Sequence, residues 1–235
     1  IIKYCIIIYL MPCLVNPSIL TPTITAGDLT ITRGTSSHDD RGMINYWYKY
    51  STGAMFIPAT DLTAIPNNAT INKIAFEYDL TLAPSNKTYT VTNTSMFTYL
   101  HPTATDFPSG LRNTGLATTN NAYNSAIVNY TDALNGASTY SFTQLTSDPQ
   151  IRYVDIPFVN NMTYLSGHAI AIAVVNNSGA YDGTGSTPGW LGDTISHLGQ
   201  YFFRQNNDTT GAYTLGAAMG TADQSFKPNI KIYWT

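Results

Sequence analysis

The stretch from Ile151 to Asn177, IRYVDIPFVNNMTYLSGHAIAIAVVNN, carries the clearest two-residue periodicity in the chain. Ile170, Ile172 and Val174 fall on one face of an extended segment, and Ala169, Ala171 and Ala173 fall on the other. This pattern predicts a strand with a bulky face and a small-residue face. Upstream, Arg152, Val154, Ile156 and Phe158 alternate against Ile151, Tyr153 and Asp155, and the Asn160-Asn161 and Ser166-Gly167 pairs supply turn chemistry between the two runs. The expectation is a central antiparallel pair, with one face on a second sheet and the alanine face under a loop or a neighbouring chain.

Outward from this pair the chain reads as a series of short strands. TITAGDLTIT at 23–32 is β-prone with a Gly27-Asp28 turn inside it, and Met43 to Ser51 forms a strand dense in aromatics. Residues 52–66 hold two prolines and one helical turn at Ala59 to Leu62. In the strand from Ala69 to Leu82, Ile71, Lys73, Ala75 and Glu77 are expected on one face and Asn72, Ile74, Phe76 and Tyr78 on the other. A β-rich run from Tyr89 follows, and residues 102–125 are loop-like. Asn135-Gly136, between AIVNYTDAL and TYSFTQL, is the strongest short hairpin signal. A glycine-rich loop at 178–192 and strands near 196–205, 207–216 and 229–234 complete the pass. No long amphipathic helix and no dividing linker are evident. The predicted fold is all-β: one antiparallel, jelly-roll-like β-sandwich over residues 21–235, preceded by an apolar arm at 1–20.

Composition narrows the function classes. Charged residues are 11% of the 235, well below the usual quarter, so Thr, Ser, Asn, Gly and Tyr must cover the surface. That suits an extracellular or assembled chain. A formal net charge of -3 leaves no basic footprint, which argues against nucleic acid as a partner. Cys5 and Cys13 are the only cysteines, so the body must be held by its core. Residues 1–20 read like a secretory signal, Lys3 followed by an apolar run too short to span a bilayer. As an ordered arm, the same segment would present Tyr4, Ile6, Ile8, Leu10 and Leu14 on one face, either within its own sandwich or added to the sheet of a neighbour. Cys5 and Cys13 also share a face when this arm is extended.

The order of NYWYKYSTGAMFIPATDL, INKIAFEYDL, FTYLHPTATDF, VDIPFVNNMTYLSGHAIAIAVVNNSG and the terminal KPNIKIYW resembles a β-sandwich domain of secreted and cell-surface proteins of Bacteroidota. The match rests on Tyr50-Ser51, Asp61-Leu62, Ile71 to Phe76, Pro157-Phe158, Tyr164, Gly167, Ile170 to Val175 and Lys227 to Ile232. It implies export, a jelly-roll-like fold and a non-catalytic role in adhesion, surface assembly or carrying another domain. The apolar arm, and the lack of a sorting domain after Trp234-Thr235, depart from that pattern.

Little in the sequence points to catalysis. His38, His101, His168 and His197 lack paired metal-ligand spacing, and no nucleophile elbow or phosphate loop is present. Asp39 and Asp40 beside His38 are the candidate oxygen ligands for calcium, against the simpler alternative of a solvated turn. No other cofactor is expected. Asp155 and Glu77 stand in strands that nothing in the sequence pairs as a glycosidase would require. Trp47, Tyr48, Tyr50, Tyr181 and Trp190 form a candidate sugar-stacking platform, with strand core as the alternative.

Seven Asn-x-Ser/Thr sequons occur, at Asn68, Asn86, Asn93, Asn129, Asn161, Asn176 and Asn207. Thr194 and Thr209 sit in Asp-Thr triplets that resemble the O-glycosylation signal of Bacteroidota. The expected function is therefore a non-catalytic structural subunit of a surface assembly or filament. A carbohydrate-binding module, or an accessory domain of a larger secreted enzyme, is the alternative.

Overall fold

In the computed structural model, which describes residues 23–38, 48–79, 88–102, 131–143, 151–180, 189–193, 202–207 and 227–235, the alternating run becomes strand β9 (Ala169–Asn176), buried at every position. It lies between β3 (Tyr50–Ile57) and β5 (Thr88–His101), antiparallel to both. β11 (Phe202–Asn207) pairs with the other edge of β3, while β6 (Thr131–Asp132) and β7 (Ser138–Thr143) follow one another along the other edge of β5. A strand with neighbours on both edges and cover on both faces has to be apolar throughout, as β9 is up to Asn176.

The second sheet is built on β4 (Thr70–Asp79). β8 (Ile151–Thr163) runs along one edge. On the other edge, β13 (Ile230–Trp234) covers Ile71 to Phe76, and β10 (Gly189–Asp193) takes over at Tyr78 and Asp79. β1 (Gly27–Ile31) lies beyond β13, and both β2 (Ser36–His38) and β12 (Lys227–Pro228) pair with β10. The pairings are antiparallel throughout. The sheets pack face to face, burying Met55, Ile57, Ile172 and Val174 of one against Ile74, Phe76, Ile156, Ile230 and Ile232 of the other. Each large side chain so buried contributes about 1.5–3 kcal/mol. This is an all-β sandwich.

Several local expectations are corrected. β8 and β9 do not form a hairpin, because they belong to different sheets. Tyr164, 1% exposed, turns the chain across: its N–H donates to Ala69 O (2.8 Å), and its carbonyl accepts the Asn68 N–H (2.8 Å). Those bonds commit the end of β8 to the β4 side. From β3 onward most connections between the described strands change sheet, the exceptions being β5–β6, β6–β7 and β12–β13, so sequence neighbours are seldom ladder neighbours.

The Asn135-Gly136 turn is made, with both φ angles positive (58° and 113°), yet it reverses nothing. β6 and β7 run the same way along β5. The excursion between them is closed by Asp132, whose carboxylate accepts the N–H groups of Leu134 (3.0 Å) and Gly136 (2.7 Å).

In β4, Ile71 joins Ile74 and Phe76 in the core, because a β-bulge between Ile71 and Lys73 shifts the alternation by one residue. The aromatic strand expected from Met43 to Ser51 starts only at Tyr50 within the described residues and continues to Ile57, where Pro58 and a 3-10 turn at Ala59–Asp61 end it. Gly27 is a strand residue rather than a turn. A Cβ there would lie 2.6 Å from Cζ2 of Trp234, and the Trp234 indole N–H donates to Thr25 O (3.2 Å).

One buried residue ties four segments together. Asn229, 1% exposed between β12 and β13, accepts the N–H groups of Arg33 (2.6 Å) and Gly34 (3.1 Å) through Oδ1. Its Nδ2 donates to Gly34 O and to Glu77 Oε2, both at 2.7 Å. Its backbone N–H donates to Leu191 O (2.8 Å), and its carbonyl accepts the Glu77 N–H (3.3 Å). Gly34 approaches β10 so closely that a Cβ would stand 2.6 Å from Gly192 O. Arg33 extends the tie by an ion pair to Asp61 in the 3-10 turn. Replacing Asn229 by Ala strands two amides, a carbonyl and a carboxylate, so Asn229→Ala should lose roughly 3 kcal/mol in urea unfolding, with the slope unchanged.

Candidate functional site

The outer face of the β4 sheet is a solvated charge ladder. Lys231 Nζ meets Asp28 Oδ2 at 2.6 Å, and Lys73 Nζ meets Asp155 Oδ2 at 2.7 Å. Between the two ammonium groups lies the Tyr233 ring, its centroid 3.8 Å from Lys73 Nζ and 5.0 Å from Lys231 Nζ. Partly exposed pairs like these contribute little to stability, but they keep this face polar and in register. Three groups here and nearby have raised pKa values. For Tyr153 the causes are burial first, then the Glu77 charge, opposed by a hydrogen bond from Thr32. Burial raises Tyr164, opposed by a backbone hydrogen bond at Gly167. The hydrogen bond to Asp28 is the main cause for Lys231.

The outer face of the β9 sheet is chemically different. Ala171 registers between Phe56 on β3 and Tyr99 on β5, and Ala169 registers against His101. The alanines let the flanking rings stand over the central strand. Phe56 and Tyr99 each meet the His101 ring edge-on, with centroids 5.7 Å and 5.6 Å apart. Ala169, Ala171, Ala173 and Phe56 are all buried, which matches the expectation that the alanine face is covered.

The sequence candidates fare unequally. Trp190 is fully buried, with Phe76 edge-on at 5.0 Å and Tyr78 tilted against it at 4.1 Å. It is a core residue and offers no face to a sugar, because β10 turns it inward where β4 ends its pairing with β13. Tyr48 and Tyr50 are half-buried. Trp47, Tyr181, Asp39, Asp40, Thr194, Thr209 and the arm residues Tyr4, Ile6, Ile8, Leu10 and Leu14 lie outside the described residues, as do Cys5 and Cys13. Among the sequons, Asn68, Asn93 and Asn161 are exposed, whereas Asn176 is buried and its Oδ1 accepts the Ser178 N–H (3.0 Å). Among the described residues no group of three or more His, Cys, Asp or Glu side chains could hold a metal ion, and no helix is long and apolar enough to cross a membrane.

A groove absent from the sequence expectations opens where the two sheets meet. Pro157 has no N–H to give the ladder, and just beyond it β8 bulges away from β4, the register jumping from Pro157 opposite Lys73 to Met162 opposite Ile71. The freed N–H groups of Val159 (2.8 Å) and Asn160 (3.1 Å) donate to Ala133 O on the other sheet. Asn160 Nδ2 adds a bond to Asp132 O (2.7 Å). Beside this bridge lies an open groove of about 350 Å³, walled by Thr98, Tyr99, Leu100 and Thr131 on one sheet and by Asn161, Met162 and Thr163 on the other. Leu100 and Met162 also pack on the core. Thr98 is 2% exposed, and its hydroxyl has no hydrogen-bond partner. No sequence signal would have joined Thr98 to Asn161, since only the packing of the two sheets brings them together.

No protein-family model matches this chain, and no curated protein matches it.

Two outcomes follow from these placements. Trp190→Ala should lose about 3–5 kcal/mol in chemical denaturation, as a large core truncation does. Raised tyrosine and lysine pKa values both contribute stability that is complete below the unfolded values and lost as pH rises through the folded ones. The melting midpoint should therefore fall above about pH 10, more steeply in the parent than in Tyr153→Phe, as read by calorimetry from pH 7 to 11.

Proposed function

We propose that this chain is a non-catalytic structural protein of the cell surface or extracellular space, a subunit that builds an assembly or filament through its β-sandwich and its apolar N-terminal segment. The observation that carries this is the use made of its polar groups. Asp28, Asp61, Asp155, Glu77 and Asp132 bond Lys231, Arg33, Lys73, Asn229 and the turn amides respectively. Among the described residues, these acidic side chains hold strands, turns and connections to one another. A surface low in charge supports the same conclusion, since such a surface suits contact with other copies.

The position of the chain's entry supports a role for the arm. Thr23 to Ala26 lead into β1, an edge strand of its sheet, with Trp234 fastening Thr25. A segment that precedes an edge strand is placed to add to its own sheet or to reach that of a neighbour. Heterologous contacts of that kind extend into open filaments when they do not close. The resemblance to secreted β-sandwich domains of Bacteroidota accords with this reading and adds export to it.

Light scattering and electron microscopy of the full chain, beside the double variant Ile6→Asp/Ile8→Asp, test the proposal. Oligomers or fibres are expected from the parent chain and a folded monomer from the variant. A monomeric parent chain, or a variant that assembles as the parent does, would overturn it.

A further inference from the structure

The turn between β6 and β7 brings together the groups that an asparagine needs in order to modify itself. Asn135-Gly136 is the only Asn-Gly pair in the chain. Asn135 is exposed, and its carboxamide makes no hydrogen bond among the described residues, so it is free to rotate. Gly136 follows at φ 113°, with open space where a Cβ would stand, so nothing crowds its nitrogen. The Gly136 N–H donates to Asp132 Oδ2 at 2.7 Å. Asp132 is itself held in place, because its Oδ1 accepts the Leu134 N–H at 3.0 Å.

We propose that this turn is a self-modification site, at which the Gly136 nitrogen attacks the Asn135 side chain, Asp132 takes the proton, and the product loosens the bridge between the sheets. A bond forms between Gly136 N and Asn135 Cγ, and the Cγ–Nδ2 bond breaks. The proton passes from Gly136 N to the Asp132 carboxylate and on to the departing nitrogen, which leaves as ammonia. Water then opens the cyclic imide at one carbonyl or the other, giving aspartate or isoaspartate, with no other reagent. Nucleophile and carboxamide belong to adjacent residues, so their encounter costs little entropy. A general base must lie within about 2.6–3.2 Å of the atom whose proton it removes, and Asp132 does. The consequence reaches β8, because Ala133 O accepts the N–H groups of Val159 (2.8 Å) and Asn160 (3.1 Å), and Asn160 Nδ2 donates to Asp132 O (2.7 Å). Isoaspartate lengthens the backbone of the turn, and either product sets a second carboxylate near Asp132, whose repulsion draws Asp132 off the Gly136 amide. None of this depends on self-assembly.

Peptide mapping with isoaspartate detection, on the full chain incubated at a series of pH values, tests the proposal. Conversion is expected at Asn135 ahead of every other asparagine, at a rate nearly flat between about pH 6 and 8, as a carboxylate base gives. Asp132→Asn keeps an acceptor for the turn amides and removes the base. At about pH 6, where hydroxide is scarce, it should slow conversion roughly tenfold or more, and the remaining rate should climb in proportion to hydroxide. A merely structural Asp132 would leave the parent rate proportional to hydroxide as well, so the pH profile separates the two roles. Hydrogen exchange at the Val159 and Asn160 amides should be faster in the converted chain than in the fresh one. The modification is overturned if Asn135 stays intact, if the parent rate climbs with hydroxide, or if Asp132→Asn keeps the parent's rate and flat profile. Unchanged exchange at Val159 and Asn160 after conversion would overturn the effect on the bridge.

Discussion

The carboxamide of Asn229 is the tie on which one end of the sandwich depends. It satisfies the amides of Arg33 and Gly34, the carbonyl of Gly34 and the carboxylate of Glu77, while its own backbone reaches Leu191. These groups come from the β1–β2 connection, from β4 and from β10, which meet where β12 gives way to β13. Only a side chain with both donor and acceptor capacity can close such a junction without leaving a buried group unpaired. Leu would fill the space and Asp would supply only acceptors. The Lys-Pro-Asn-Ile-Lys run at 227–231 thus has a structural reason: its asparagine sits at a break between strands, and Ile230 and Ile232 fall inward directly after it.

The far end is held by a different device, a departure from the ladder rather than a buried hub. Pro157 and the bulge that follows it release two amides of β8, and Ala133 O on the opposite sheet accepts both. A sandwich is usually held by side-chain packing alone, so backbone bonds across its open side fix the sheet separation there more tightly than packing can. The groove lined by Thr98 and Asn161 is a by-product of that bridge, because residues 161–163 rejoin β4 only after having swung outward.

The two outer faces differ as the two ends do. Lys73, Lys231, Asp28 and Asp155 keep the β4 sheet solvated on its outside, whereas the outside of the β9 sheet carries Phe56, Ala171, Tyr99 and His101, with Phe56 and Ala171 buried.

The sequence by itself determined the class of fold and the identity of the central strand. Alternation between Ile170, Ile172, Val174 and the three alanines is a consequence of the pleat, and the pleat needs only local backbone geometry, so it is legible without any partner. The 3-10 turn after Pro58 was readable for the same reason. Tertiary structure alone decided which strands pair. Asn135-Gly136 has the dihedral angles of a hairpin turn, yet both flanking strands lie along β5. Ser166-Gly167 turns the chain, yet carries it to the other sheet. Turn chemistry specifies a change of direction over a few residues, whereas pairing is set by long-range burial, and a bulge of one residue is enough to move Ile71 from one face to the other. Whether Trp190 serves as an exposed platform or as strand core is decided by the same long-range burial, and the groove between Thr98 and Asn161 could not be foreseen, because two strands of different sheets meet there through contacts that no local pattern records.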